Sequence, residues 1–123
     1  MNFSIEDKGK YTVISSNVEK LDTNHAPELK SELVYLNKND VKNIIIDMSS
    51  TRYCDSSGLS AILVANRLCK SVDGQFILTG MQESVSKLVS ISQLDSVLTI
   101  TPTLQEAVDL FIMEEIEKDL DKE

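Results

Sequence analysis

The three consecutive isoleucines Ile44-Ile45-Ile46, at the centre of the segment Val41–Asp47, narrow the fold more than any other feature of the chain. A strand with one wet face alternates apolar and polar residues. This run is β-branched throughout and does not alternate, so it predicts a strand covered on both faces, in a sheet with helices packed on it.

The flanking sequence supplies the rest of such a layered fold. Phe3–Asp7 and Tyr11–Ser15 read as strands joined by a tight turn at Lys8-Gly9, where glycine can take positive φ. Ser16–His25 reads as a loop. Pro27 suits the first turn of a helix, with Leu29, Leu33, Val34 and Leu36 at near-helical spacing. After the isoleucine strand and a loop, a long helical pattern runs from Ser56 to Ser71. Asp73-Gly74 then turns the chain into a strand at Gln75–Thr79, and Gly80 leads to a short helix at Glu83–Ile91. A strand at Val97–Ile100 follows. The last helix begins near Thr103, with a stripe of Leu104, Ala107, Val108, Phe111 and Ile112.

The element order is ββαβαβαβα. It implies a single α/β domain with a mixed sheet of about five strands and about four helices, the later strands mainly parallel. The domain is expected over residues 1–112, with 113–123 as an acidic helix end or tail. That tail holds Glu114, Glu115, Glu117, Asp119, Asp121 and Glu123 against two lysines, half of the formal charge of −8. Such acidity argues against a nucleic-acid partner, since phosphate contacts need clustered Lys and Arg. No apolar stretch is long enough to span a bilayer, and Met1-Asn2-Phe3-Ser4-Ile5-Glu6-Asp7 has acids where a secretory signal needs bases. A cytoplasmic location, with no membrane partner, is expected.

Signals for catalysis or metal binding are missing. Cys54 and Cys69 form no CxxC pair and the chain has one histidine, His25, so no zinc site is expected. Both cysteines fit better as small buried hydrophobes in a reducing compartment. A single histidine in a polar loop gives no nucleophile–base pair. The glycines (Gly9, Gly58, Gly74, Gly80) are too scattered for a phosphate-binding loop, and no cofactor is expected.

One segment carries more information. Asp55-Ser56-Ser57-Gly58-Leu59 lies at a strand-to-helix junction, where Asp and Ser cap the free N–H groups of the first turn. At about 100° per residue, Gly58, Ala61, Ile62, Ala65, Leu68, Cys69 and Val72 share one arc, expected to be buried. Ser56, Ser60, Leu63, Val64, Arg67, Lys70 and Ser71 share the opposite arc, and Ser57 lies at the edge. Ser56 is therefore the better exposed hydroxyl. An outward apolar pair, Leu63 and Val64, bordered by Arg67 and Lys70, fits a partner surface and equally fits incidental exposure.

The stretch Ile44-Ile45-Ile46-Asp47, followed by Tyr53-Cys54-Asp55-Ser56-Ser57-Gly58-Leu59-Ser60-Ala61-Ile62-Leu63, resembles the STAS domain family, and within it bacterial anti-sigma factor antagonists. The resemblance covers about residues 3–112. It implies that Ser56, the first hydroxyl after the Asp, is a phosphoacceptor, with Asp55, Ser57 and Gly58 around it. Leu21-Asp22 matches a recurrent Leu-Asp pair near that site, although Glu19-Lys20 replaces the Gly-Glu that often precedes it. Asp22 is thus expected to join the same surface, with Ser60, Leu63, Val64 and Arg67 as partner-binding residues.

What the resemblance implies is a non-enzymatic partner switch. The unphosphorylated form would bind an anti-sigma factor serine kinase. Phosphorylation of Ser56 would end binding, and a PP2C-type phosphatase would reset it, the free chain being a monomer. The alternative is a STAS accessory subunit of a transporter or stress-signalling complex without a phosphorylation cycle. A small-ligand carrier or enzyme is a more distant reading. A phosphate at a helix start is also expected to find stabilising free N–H groups, so the helix should survive it.

Overall fold

The computed structural model describes residues 1–121. In chain order the elements are β1 (Phe3–Asp7), β2 (Thr12–Ser16), β3 (Lys20–Leu21), α1 (Ala26–Lys38), β4 (Ile44–Asp47), β5 (Tyr53–Cys54), α2 (Ser56–Ser71), β6 (Phe76–Thr79), α3 (Glu83–Ile91), a 3-10 turn at Leu94–Ser96, β7 (Thr99–Thr101) and α4 (Leu104–Asp121). This is the expected α/β domain with a mixed five-stranded sheet, in the order β1-β2-β4-β6-β7. Strand β1 pairs antiparallel with β2, and every other pairing in this sheet is parallel.

The isoleucine run lies near the centre of the sheet and is split between its two faces. Ile44 and Ile46 enter the main core with Ile14, Phe76 and Leu78. Ile45 points the other way, in register with Val13 on β2 and Ile77 on β6. This row of three is covered by Ala107 and Phe111 of α4, with the Tyr11 ring tilted against that of Phe111 at 5.1 Å between centroids. The main core, on the opposite face, is closed by Leu29, Leu33 and Leu36 of α1, Ala61, Ile62 and Ala65 of α2, and Val85 and Val89 of α3. Three helices therefore cover one face and a single helix covers the other.

Several local expectations need correction. Ser16–His25 is not all loop: it contains β3, which pairs in parallel with β5 as a separate two-stranded ladder. Val34 is exposed, because the buried stripe of α1 is Ala26, Leu29, Leu33 and Leu36, and Val34 lies about 100° past Leu33. Leu104 and Ile112 are likewise exposed on α4, whose buried residues are Ala107 and Phe111. The acidic segment continues that helix as far as Asp121, tied to the body where Gln75 Nε2 donates to Glu115 Oε1 at 2.7 Å and Lys118 Nζ donates to the Asp73 carbonyl at 2.9 Å. Its last two residues lie outside the described ones.

Candidate functional site

Two residues per strand cannot hold a ladder by themselves, so the β3–β5 pair is fixed by what surrounds it. Leu21 is buried in the main core. Thr51, buried just before β5, donates to the Val18 carbonyl at 2.7 Å and accepts from Ser16 Oγ at 2.7 Å. The Glu19 carbonyl accepts from the Arg52 and Tyr53 N–H groups at 2.8 and 3.1 Å, and the Leu21 carbonyl accepts from the Asp55 N–H at 3.3 Å. These bonds carry the Leu21-Asp22 segment to the start of α2, 34 positions away in the sequence by the Leu21–Asp55 pairing.

Gly58 is needed for this approach. A Cβ at that position would fall on the Leu21 carbonyl oxygen and within 2.6 Å of Cys54 Sγ. Glycine lets the first turn of α2 lie directly against β3. Asp55 caps the same turn, its Oδ1 accepting from the Ser57 and Gly58 N–H groups at 2.9 and 3.0 Å. Its Oδ2 lies 3.5 Å from Thr23 Oγ1, which is also 3.2 Å from Ser57 Oγ. Ser57 is half-buried and engaged; Ser56, one residue earlier, is exposed. The choice of Ser56 as the accessible hydroxyl agrees with this geometry.

The cap alters the expected electrostatics. Two first-turn N–H groups are already taken by Asp55, so they are not free to receive a phosphate on Ser56. Asp22 Oδ1 is occupied in its own turn, accepting from the Asn24 N–H at 3.0 Å and lying 3.2 Å from His25 Nδ1. Asp22 and Asp55 nevertheless line one shallow depression of about 490 Å³ with Glu19, Lys20, Tyr53 and Cys54. The structure thus brings Asp22 and Asp55 to one depression, and the Asp55 side chain caps the helix turn that holds Ser56, Ser57 and Gly58.

The outer face of α2 is less open than the helical projection predicts. Arg67 is exposed, but Ser60, Leu63 and Val64 are half-buried, and the two apolar residues pack against the main core. Helix α2 rests on β6 and has α1 alongside it, and its buried arc includes Leu59. Leu68 and Val72, expected inside, are only half-buried. Cys69 is buried as expected, whereas Cys54 is only partly so. Burial pushes the Cys54 thiol up to about 12, with the Asp55 carboxylate adding to it, and pushes Cys69 up to about 11. Neither is a ready nucleophile at neutral pH.

Sequence reasoning missed Thr23 and Tyr53. Thr23 follows directly on Leu21-Asp22, and that position was its only signal. Tyr53 is exposed, with Lys20 Nζ 5.9 Å and Arg52 Cζ 5.8 Å from its ring centre. It separates the first depression from a second of about 600 Å³ that extends over Gln82, Lys87, Leu88 and Ile91 of the α3 side. Among the described residues no group of three or more His, Cys, Asp or Glu could hold a metal ion, and no helix is long and apolar enough to cross a membrane.

The model of the STAS domain family matches residues 4–107 of this geometry's sequence. The chain belongs to the STAS domain family. Solved structures similar to this STAS chain include SpoIIAA in its unphosphorylated form, 25% identical, with a TM-score of 0.75 over 87% of this chain and 93% of that one. SpoIIAA of Bacillus in its phosphorylated form is 24% identical, with a TM-score of 0.69 over 87% and 96%. An anti-sigma factor antagonist from Mycobacterium paratuberculosis is 20% identical, with a TM-score of 0.80 over 89% and 92%. RsbS of Moorella thermoacetica, in a serine-to-glutamate variant, is 22% identical, with a TM-score of 0.76 over the whole of both chains.

Proposed function

We propose that this STAS domain is an anti-sigma factor antagonist that works as a phosphorylation-controlled partner switch, with Ser56 as its phosphoacceptor. The observation that carries the reading is the exposed Ser56 hydroxyl on a helix start fixed by Asp55 and by the Gly58–Leu21 contact. A kinase needs an accessible hydroxyl, and a switch needs that hydroxyl on a rigid support. The similarity to SpoIIAA, known in unphosphorylated and phosphorylated forms, supports the same reading.

The unphosphorylated form binds an anti-sigma factor serine kinase. Its contact area is built around Ser56 and extends over Ser60 and Arg67 on one side and the Asp22 and Tyr53 depressions on the other, with the remaining exposed parts of Leu63 and Val64 at its margin. The kinase transfers phosphate to Ser56, and a PP2C-type phosphatase removes it. The domain itself needs no catalytic group.

The charge balance gives the physical basis of release. A phosphate brings about −1.5 to −2 charges. Here it would sit one residue from Asp55, whose depression is lined by three carboxylates (Glu19, Asp22 and Asp55) against one cation, Lys20. A partner surface matched to this acidity plus a neutral hydroxyl then meets bulk and excess charge, and like-charge juxtaposition across an interface costs several kcal/mol. The helix itself persists, because its cap is the Asp55 side chain and not Ser56.

The test is affinity capture from cells with wild type, Ser56→Ala and Ser56→Asp, together with mass spectrometry after incubation with ATP and the captured kinase. Wild type and Ser56→Ala should retain the kinase, Ser56→Asp should lose it, and phosphate should map to Ser56. Equal recovery by all three would sink the switch. Recovery of partners with no modification at Ser56 would return the accessory-subunit reading.

A further inference from the structure

Helix α4 has an outward face that neither the fold nor the Ser56 surface uses. Ile112, Met113, Ile116 and Leu120 are 47%, 62%, 54% and 62% exposed. At 100° per residue they fall within an arc of about 100°, turned away from the Ala107–Phe111 face that grips the sheet. Four large apolar side chains aligned over about two and a half turns form a continuous stripe, unlike singly scattered surface hydrophobes.

The charges around the stripe indicate what covers it. Asp119 borders one side, Glu117 the other, and Asp109 stands one turn before it; all three are exposed. Over residues 104–121 the helix carries seven carboxylates and one lysine. That lysine, Lys118, is turned to the Asp73 carbonyl and does not neutralise the stripe. A second copy of the chain would set two such acidic frames against each other. An anionic lipid surface would be repelled in the same way.

We propose that this face of α4 is a second docking site, and that its partner presents an amphipathic helix with an apolar stripe flanked by lysines and arginines. Helix-on-helix docking places the partner's apolar residues between Ile112, Ile116 and Leu120, with its cations over Glu117 and Asp119. Because α4 covers the Val13–Ile45–Ile77 face and α2 covers the other, the sheet separates this site from Ser56. The two surfaces can be occupied together, and the state of Ser56 does not control the second.

A fluorescent synthetic peptide with leucines at i, i+4, i+7 spacing and Lys/Arg flanks provides the probe, read by anisotropy and by amide shifts in the labelled protein. Wild type and Ser56→Asp should bind it within about twofold of each other, with shifts on α4. The double change Ile116→Ser, Leu120→Ser, at exposed positions that leave the fold intact by circular dichroism, should weaken binding by about tenfold or more. The same peptide with glutamates replacing its cations should not bind, and added salt should weaken the basic one. Equal binding by the double variant, equal binding of the glutamate peptide, or no binding by wild type overturns the proposal. So does a dimer in ultracentrifugation that the double change abolishes, which assigns the stripe to a second copy. Flotation with phosphatidylglycerol-containing vesicles that the double change abolishes would assign it to lipid instead.

Discussion

Gly58→Ala tests whether the Ser56 site is set by the contact between α2 and β3. In an open helix interior this substitution stabilises by about 0.5–1 kcal/mol, because alanine loses less backbone entropy on folding. Here the new methyl would coincide with the Leu21 carbonyl oxygen and come within 2.6 Å of Cys54 Sγ and 3.0 Å of Leu21 Cγ. Leu21 cannot step aside, since it is buried, paired to Cys54 and bonded through that carbonyl to the Asp55 N–H. The start of α2 must move instead. Overpacking of this kind costs about 1–3 kcal/mol, and losing the Asp55–Leu21 bond costs about 0.5–1.5 kcal/mol more. After the helix gain is subtracted, a net loss of about 2 kcal/mol is expected. With a urea slope of about 2 kcal/mol per molar, the unfolding midpoint should fall by about 1 M. Ser60→Ala, two residues on and half-buried, is the control and should stay within about 0.5 kcal/mol of wild type. A Gly58→Ala midpoint at or above that of wild type would refute the packing argument.

Asp55→Ala removes the acceptor of two first-turn N–H groups and should cost about 1 kcal/mol in thermal or urea unfolding, whereas Asp55→Asn, which keeps an acceptor, should cost less. The two thiols give a pH dependence. Their folded values, about 12 for Cys54 and about 11 for Cys69, lie above an unfolded value near 9, so their contribution to stability is complete below about pH 9. It declines as pH rises through the folded values, and a Cys54→Ala, Cys69→Ala double variant should show a flatter fall in urea midpoint between about pH 9 and pH 11; an unchanged slope would count against buried thiols.

The parts of the fold that carry a period or a strong local preference were legible in the sequence. The unalternated Ile44-Ile45-Ile46 run announced a strand covered on both sides, and it is (Ile45 under α4, its neighbours in the main core). The start of α2 was legible because Asp55 caps locally, within three residues. The β3–β5 ladder was not, since two-residue strands have no period and their partners lie more than 30 positions apart. Thr23 escaped for the same reason: its bonds to Asp55 and Ser57 exist only once that ladder has formed. Leu63 and Val64 lie further in than a helical projection predicts, because a projection shows one covered side, whereas α2 is covered by β6 and by α1.

The three-residue row Val13–Ile45–Ile77 has a consequence for how the molecule opens. The main core interlocks three helices, so no one of them leaves without exposing the others. Helix α4 grips its row chiefly through Ala107 and Phe111, and beyond Phe111 the ties among the described residues are Gln75–Glu115 and Lys118–Asp73. Its last turns form the cheapest unit to detach, and amide exchange should run fastest there and slow abruptly at Phe111. Such an opening leaves the Ser56 face closed, so the chain can loosen on one side of its sheet while the other keeps its shape.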